Sequence, residues 1–86
     1  MGKLYDRYRG TKKFNYPLYS LREQRGISQR KASKQLGLKC VDTYMRIERG
    51  IGWGQMEFWR EVQDKWNVPA EKMWYLITGD TDNFFA

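Results

Sequence analysis

The stretch Ile27-Ser-Gln-Arg-Lys-Ala-Ser-Lys-Gln-Leu-Gly-Leu-Lys-Cys-Val-Asp-Thr-Tyr-Met-Arg-Ile-Glu-Arg-Gly50 decides the fold. It reads as two short helices joined by a tight turn. Ser28 is the expected N-cap, because its hydroxyl accepts from an otherwise orphaned amide of the first turn. Ala32, Ser33 and Leu36 then fall on one face of the helix. Gly37 is the expected stop, since glycine takes the left-handed conformation without steric cost. Leu38 turns inward, and a second helix of about eight to ten residues runs to a second glycine stop at Gly50.

Upstream, Pro17 opens a first helix, where proline is tolerated, and the helix runs to Arg25 before Gly26. Leu18, Leu21 and Arg22 share a face. An arginine on an inward face demands a carboxylate, because an unpaired buried charge is too costly. Residues 1–16 form a basic, aromatic N-terminal arm with no clean period. In it Lys3, Arg7, Arg9, Lys12 and Lys13 alternate with Tyr5, Tyr8, Phe14 and Tyr16. Such an arm follows a DNA backbone or enters a minor groove, stays disordered, or packs its aromatics on the domain. Partial packing of Phe14 and Tyr16 is the expectation.

Downstream, Ile51-Gly-Trp-Gly54 is a glycine-punctuated loop. A fourth helix is expected over residues 55–66, with Met56, Trp59, Val62 and Trp66 on its apolar stripe and Phe58 as a further candidate. Asn67 ends it. A fifth runs from Pro69 to Thr78, with Met73, Trp74, Leu76 and Ile77 available for packing, and closes at Gly79. Residues 80–86 are an acidic tail ending in Phe84 and Phe85. No strand is predicted. The expectation is a compact all-α domain of five helices over residues 17–79.

Eighty-six residues bound a single domain with a modest core. No apolar run is long enough to cross a membrane, and no apolar leader follows the N-terminal charges. One cysteine and no histidine remove a disulfide framework and most metal sites, and a cytoplasmic location is expected. No cofactor, metal or small-molecule ligand is implied. No acid pair, phosphate loop or nucleophile–base set is present to run catalysis, so an enzyme is not expected. The net charge of +6 is unevenly spread. Residues 1–49 hold thirteen Lys/Arg against four Asp/Glu, and residues 50–86 hold three against six. A basic half beside an acidic half fits a polyanion on one side only.

Two helices around a glycine turn are the helix-turn-helix arrangement, in which the second helix meets a DNA groove. Residues 18–79 resemble the Cro/C1-type helix-turn-helix domains of phage and plasmid repressors, the XRE family, with their lambda-repressor-like fold. The resemblance rests on Leu21-Arg-Glu-Gln-Arg-Gly-Ile-Ser-Gln29, on Ser33-x-x-Leu36-Gly37 and on Arg46-Ile-Glu-Arg-Gly50. A weaker part is Met56-x-x-Trp59-x-x-Val62-x-x-x-Trp66-x-Val68, followed by Trp74 to Gly79. One departure stands out. From Gly37 to Glu48 the chain is one residue longer than the commonest spacing, so the turn is lengthened or the next helix starts differently.

The resemblance implies roles. Arg22 pairs with Glu48 as a structural salt bridge, which is the carboxylate that Arg22 demands. Tyr44 and Ile47 face inward. Gln29 resembles the residue that contacts phosphate and a base edge at a helix N-terminus. Val41, Asp42, Thr43, Met45 and Arg46 are then the candidates for base reading. Arg46 suits guanine, Val41 or Met45 a thymine methyl, and Asp42 a cytosine amino group. Arg30, Lys31, Lys34, Lys39 and Arg49 are candidate phosphate contacts. Read by itself, Cys40 is a small residue in the turn, with a thiolate redox switch in the locally positive field as the alternative.

The function expected is a sequence-specific transcriptional regulator, repressor or Cro-like, of a phage or mobile element. It would bind a palindromic double-stranded operator as a homodimer. With no further domain in the chain, it looks more like a Cro-type or minimal repressor than a long C1 repressor. Trp59 and Trp66 read as core, and Trp53 as a contact to DNA or a partner. Trp74, Phe84 and Phe85 are candidate dimer contacts. The alternative is a protein-interaction module on the same scaffold, either an antitoxin or a phage-encoded inhibitor of a host protein.

Overall fold

The computed structural model describes residues 14–86. The expected arm therefore lies outside the described residues, apart from its last three. Among the described residues there are six helices and no strand. They are α1 (Tyr16–Gln24), α2 (Gln29–Gln35), α3 (Val41–Arg49), α4 (Met56–Lys65), α5 (Ala70–Thr78) and α6 (Thr81–Phe84).

Local chemistry explains most boundaries. Asn15 caps α1, its Oδ1 accepting from the Leu18 amide at 3.0 Å, so the helix starts at Tyr16 rather than Pro17. Ser28 caps α2 by accepting from the Lys31 amide at 3.1 Å. The turn after α2 closes through Gly37 N to Lys34 O at 3.2 Å and Leu38 N to Ser33 O at 2.9 Å. Leu38 packs against the core while Lys39 and Cys40 stay exposed. Lys39 and Cys40 of the turn thus lie in solvent, and α3 begins at Val41.

The sequence predicts five helices over residues 17–79, and among the described residues a sixth follows them in the tail. The acidic tail contains the short α6, because Asp80 caps it by accepting from the Asn83 amide at 3.3 Å. Lys72 of α5 holds its far end, donating to Asn83 O at 3.0 Å and Ala86 O at 3.1 Å. A correction concerns Met56. It opens α4 on the solvent side and is 66% exposed. Phe58 and Trp59 take the inward positions instead.

The core gathers Leu18 of α1, Ala32 and Leu36 of the α2 region, Tyr44 and Ile47 of α3, and Phe58, Trp59 and Val62 of α4. Trp66, Val68 and Leu76 complete it from the α4–α5 side. Phe58 meets Trp59 edge-on at 4.8 Å and Tyr44 at 6.2 Å, the arrangement that the ring quadrupoles favour. Phe14 is buried against Tyr19 at 5.5 Å, and Tyr16 is half-buried beside Phe85 at 6.0 Å. Among the described residues no helix is long and apolar enough to cross a membrane.

Candidate nucleic-acid interface

The buried side of α3 is organised by one carboxylate. Glu48 is 2% exposed and its carboxylate accepts four hydrogen bonds. Arg22 donates from Nε to Oε2 at 2.9 Å and from Nη2 to Oε1 at 3.3 Å. The Tyr44 hydroxyl donates to Oε2 at 2.8 Å, and Gln29 Nε2 to Oε1 at 2.8 Å. Arg22 also donates from Nη1 to the Ile27 carbonyl at 2.9 Å. One network therefore ties α1, the loop before α2, the start of α2 and α3 together. A buried charge is tolerable only when its lone pairs are satisfied in this way.

The electrostatics follow from that geometry. Burial alone pulls the Arg22 guanidinium down, but the hydrogen bond to Glu48 and the Glu48 charge outweigh it, so its pKa is raised. Burial, then the Glu48 charge, pushes the Tyr44 phenol well above its ordinary value of 10.0. Both groups keep the protonation states that the network uses.

The opposite side of α3 is open. Asp42, Thr43, Arg46 and Arg49 are exposed, and Val41 and Met45 are half-buried at its edge. Arg30, Lys31 and Lys34 of α2 and Lys39 of the turn are exposed as well. Arg30, Lys34, Lys39, Val41 and Asp42 line one shallow depression where α2 meets the start of α3. Asp42 lies in the first turn of α3 and Arg46 and Arg49 in its last, each with the sign the helix dipole favours. Cys40 is exposed in this region, and the Thr43 amide and hydroxyl lower its thiol pKa.

Several expected positions look different in three dimensions. The Gln29 side chain is half-buried and turned to Glu48, which leaves one amide N–H and its carbonyl for any outside contact. Phe84 packs against the core from α6, so it is not a free surface group. Trp74 is 69% and Phe85 47% exposed. Among the described residues no group of His, Cys, Asp and Glu could hold a metal ion.

Two connecting residues escaped the sequence reading. Asn15, 4% exposed, receives Leu18 N on Oδ1, donates from Nδ2 to Leu76 O at 2.8 Å, and donates its amide to Glu48 O at 2.8 Å. It joins α1 to the ends of α3 and α5. The cap half of this was visible, since asparagine two positions before a proline marks a helix start. Arg25 donates from Nη2 to the Trp66 carbonyl at 2.7 Å and lies over its ring at 5.1 Å, which takes this cation away from the open face.

No protein-family profile, curated protein or solved structure gives a significant match to the chain.

Proposed function

We propose that the protein is a sequence-specific DNA-binding regulator of the Cro/C1 type, built on a lambda-repressor-like helix-turn-helix, that presents α3 to a major groove. One arrangement carries this reading. The Glu48 network holds α3 rigidly from behind, while Asp42, Thr43, Arg46 and Arg49 stand exposed in front beside the exposed cations of α2 and the turn. A rigid ridge of donors and acceptors flanked by cations is what base reading and phosphate positioning require.

In this reading Arg46 takes a guanine edge, Thr43 and Asp42 adjacent base edges, and Val41 and Met45 thymine methyls. Arg30, Lys31, Lys34, Lys39 and Arg49 neutralise phosphates. Gln29 reaches a phosphate or base edge with the amide N–H that Glu48 does not use. The exposed Trp74 and Phe85 favour self-association, and two copies related by a two-fold axis would read a palindrome.

Selection from random-sequence duplexes followed by mobility shift tests the proposal. Enrichment of a palindrome supports it. Binding to no duplex at modest salt ends it and leaves the protein-interaction module, antitoxin or inhibitor, as the reading to pursue.

A further inference from the structure

The loop after α3 carries a large apolar group that neither the core nor the α3 ridge uses. Trp53 is 63% exposed. The backbone beneath it is nonetheless fixed. The Ile51 and Gly52 amides both donate to the Arg46 carbonyl, at 2.9 and 3.3 Å. The Trp53 carbonyl accepts from the Trp59 indole at 2.7 Å. Gly54 has φ +76°, and a Cβ there would sit 3.0 Å from Trp59 Nε1 and 3.2 Å from both Ile47 Cδ1 and Phe58 Cδ2. The loop lies flat on the core with no room for a side chain at that point. An exposed indole on a backbone already ordered loses little freedom when it meets a partner.

The surroundings narrow the partner. Trp53 lines one groove with Asp42, Thr43 and Arg46, so whatever lies along the α3 ridge passes this loop. Glu57 and Glu61 line the same groove. They add no cation to the loop, and an uncharged apolar indole suits a sugar or base edge rather than a phosphate. We infer that Trp53 lays its indole against the deoxyribose and base edges of duplex DNA at the margin of the groove that α3 enters. The inference rests on the DNA-binding reading above. The contact is apolar and sequence-tolerant, because every nucleotide offers a sugar face. It adds affinity without releasing counterions.

The test compares wild type with Trp53→Ala, Trp53→Phe and Lys31→Ala on the duplex recovered by selection, across a series of salt concentrations. Trp53→Ala lowers affinity about tenfold at every salt, the scale of losing one aromatic contact to nucleic acid. The slope of log affinity against log salt stays that of wild type, whereas Lys31→Ala makes it shallower. Trp53→Phe recovers most of the loss. Thermal melting of Trp53→Ala matches wild type, since the indole is largely in solvent. Wild-type affinity in Trp53→Ala, or a changed salt slope, overturns the inference while leaving the regulator reading intact. A change in sedimentation of Trp53→Ala without DNA also overturns it, by making Trp53 a protein contact. If wild type binds no duplex, the parent reading fails and this inference falls with it.

Discussion

Arg22 and Glu48 pair where water cannot screen them, so Arg22→Ala leaves a carboxylate 2% exposed with only the Tyr44 and Gln29 donors. Removing one partner of a buried pair costs about 3–5 kcal/mol. In a domain of this size each kcal/mol shifts the melting temperature by about 4–8 °C. Thermal melting of Arg22→Ala should therefore fall by more than about 10 °C, and an unchanged melting temperature would refute the brace. Tyr44 makes a pH prediction. Its folded pKa is raised by burial and by Glu48, so the native state needs the neutral phenol. That stability is fully present below the ordinary tyrosine value of 10.0 and is lost as pH rises above it. Urea midpoints at pH 8 and pH 11 should show a smaller alkaline loss for Tyr44→Phe than for wild type. Equal losses would mean that Tyr44 ionisation does not limit the fold. The inward arginine announced its need for a carboxylate in the sequence. The two extra donors on Glu48 did not, because Gln29 and Tyr44 reach it only once α2 and α3 have packed together.

At the scale of elements, α2 and α3 divide the work of the proposed interface. α3 is held from behind and exposes side chains able to distinguish base pairs, while the cations of α2 offer charge without sequence information. Arg46→Ala should relax preference at one base pair, by about 1–3 kcal/mol, in a selection repeated with the variant. Lys31→Ala should weaken all duplexes similarly and make the salt dependence shallower. Like behaviour in the two variants would refute the division. The glycine stops at Gly37, Gly50 and Gly79 were readable because left-handed backbone strongly favours glycine, and all three have positive φ in the structure. α6 was not readable. Four residues carry too little periodicity, and this helix depends on Lys72 of α5 reaching back to its carbonyls. Met56 departs from the expected stripe because of its place at the start of α4. Placed on the stripe with Trp59, it lies in the first turn of α4, where Phe58 rather than Met56 meets Tyr44.

At the scale of the whole molecule, exposed aromatics bear on self-association. Trp74 on α5 stays 69% exposed and Phe85 47%, while Phe84 is drawn into the fold. Contact surfaces draw on exposed apolar groups, which makes these two aromatics the positions to test. Trp74→Glu should convert a dimer to a monomer in sedimentation equilibrium, with its helical content unchanged. A wild-type monomer at high concentration, or a dimer unaffected by Trp74→Glu, would remove Trp74 from any interface. The charge division has a counterpart here. Arg30, Lys31, Lys34, Lys39, Arg46 and Arg49 are exposed on α2, the turn and α3, whereas α4 to α6 mix exposed Arg60 and Lys65 with exposed Glu57, Asp64, Glu71 and Asp82.

By itself the sequence determined the all-helical class, the paired short helices around Gly37, and the core membership of Trp59 and Trp66. These follow from local signals, namely caps, glycine stops and apolar spacing, which act over a few residues and leave their pattern in the chain. Only the tertiary structure decided that Asn15 ties three helices and that Gln29 spends a donor on Glu48. It also decided that Arg25 serves Trp66 and that Trp53 stands on a fixed loop beside Arg46. The Asn15, Gln29 and Arg25 bonds are long-range polar contacts. Their partners lie up to 61 residues apart, and no period in the sequence records which distant carbonyl or carboxylate a donor will meet.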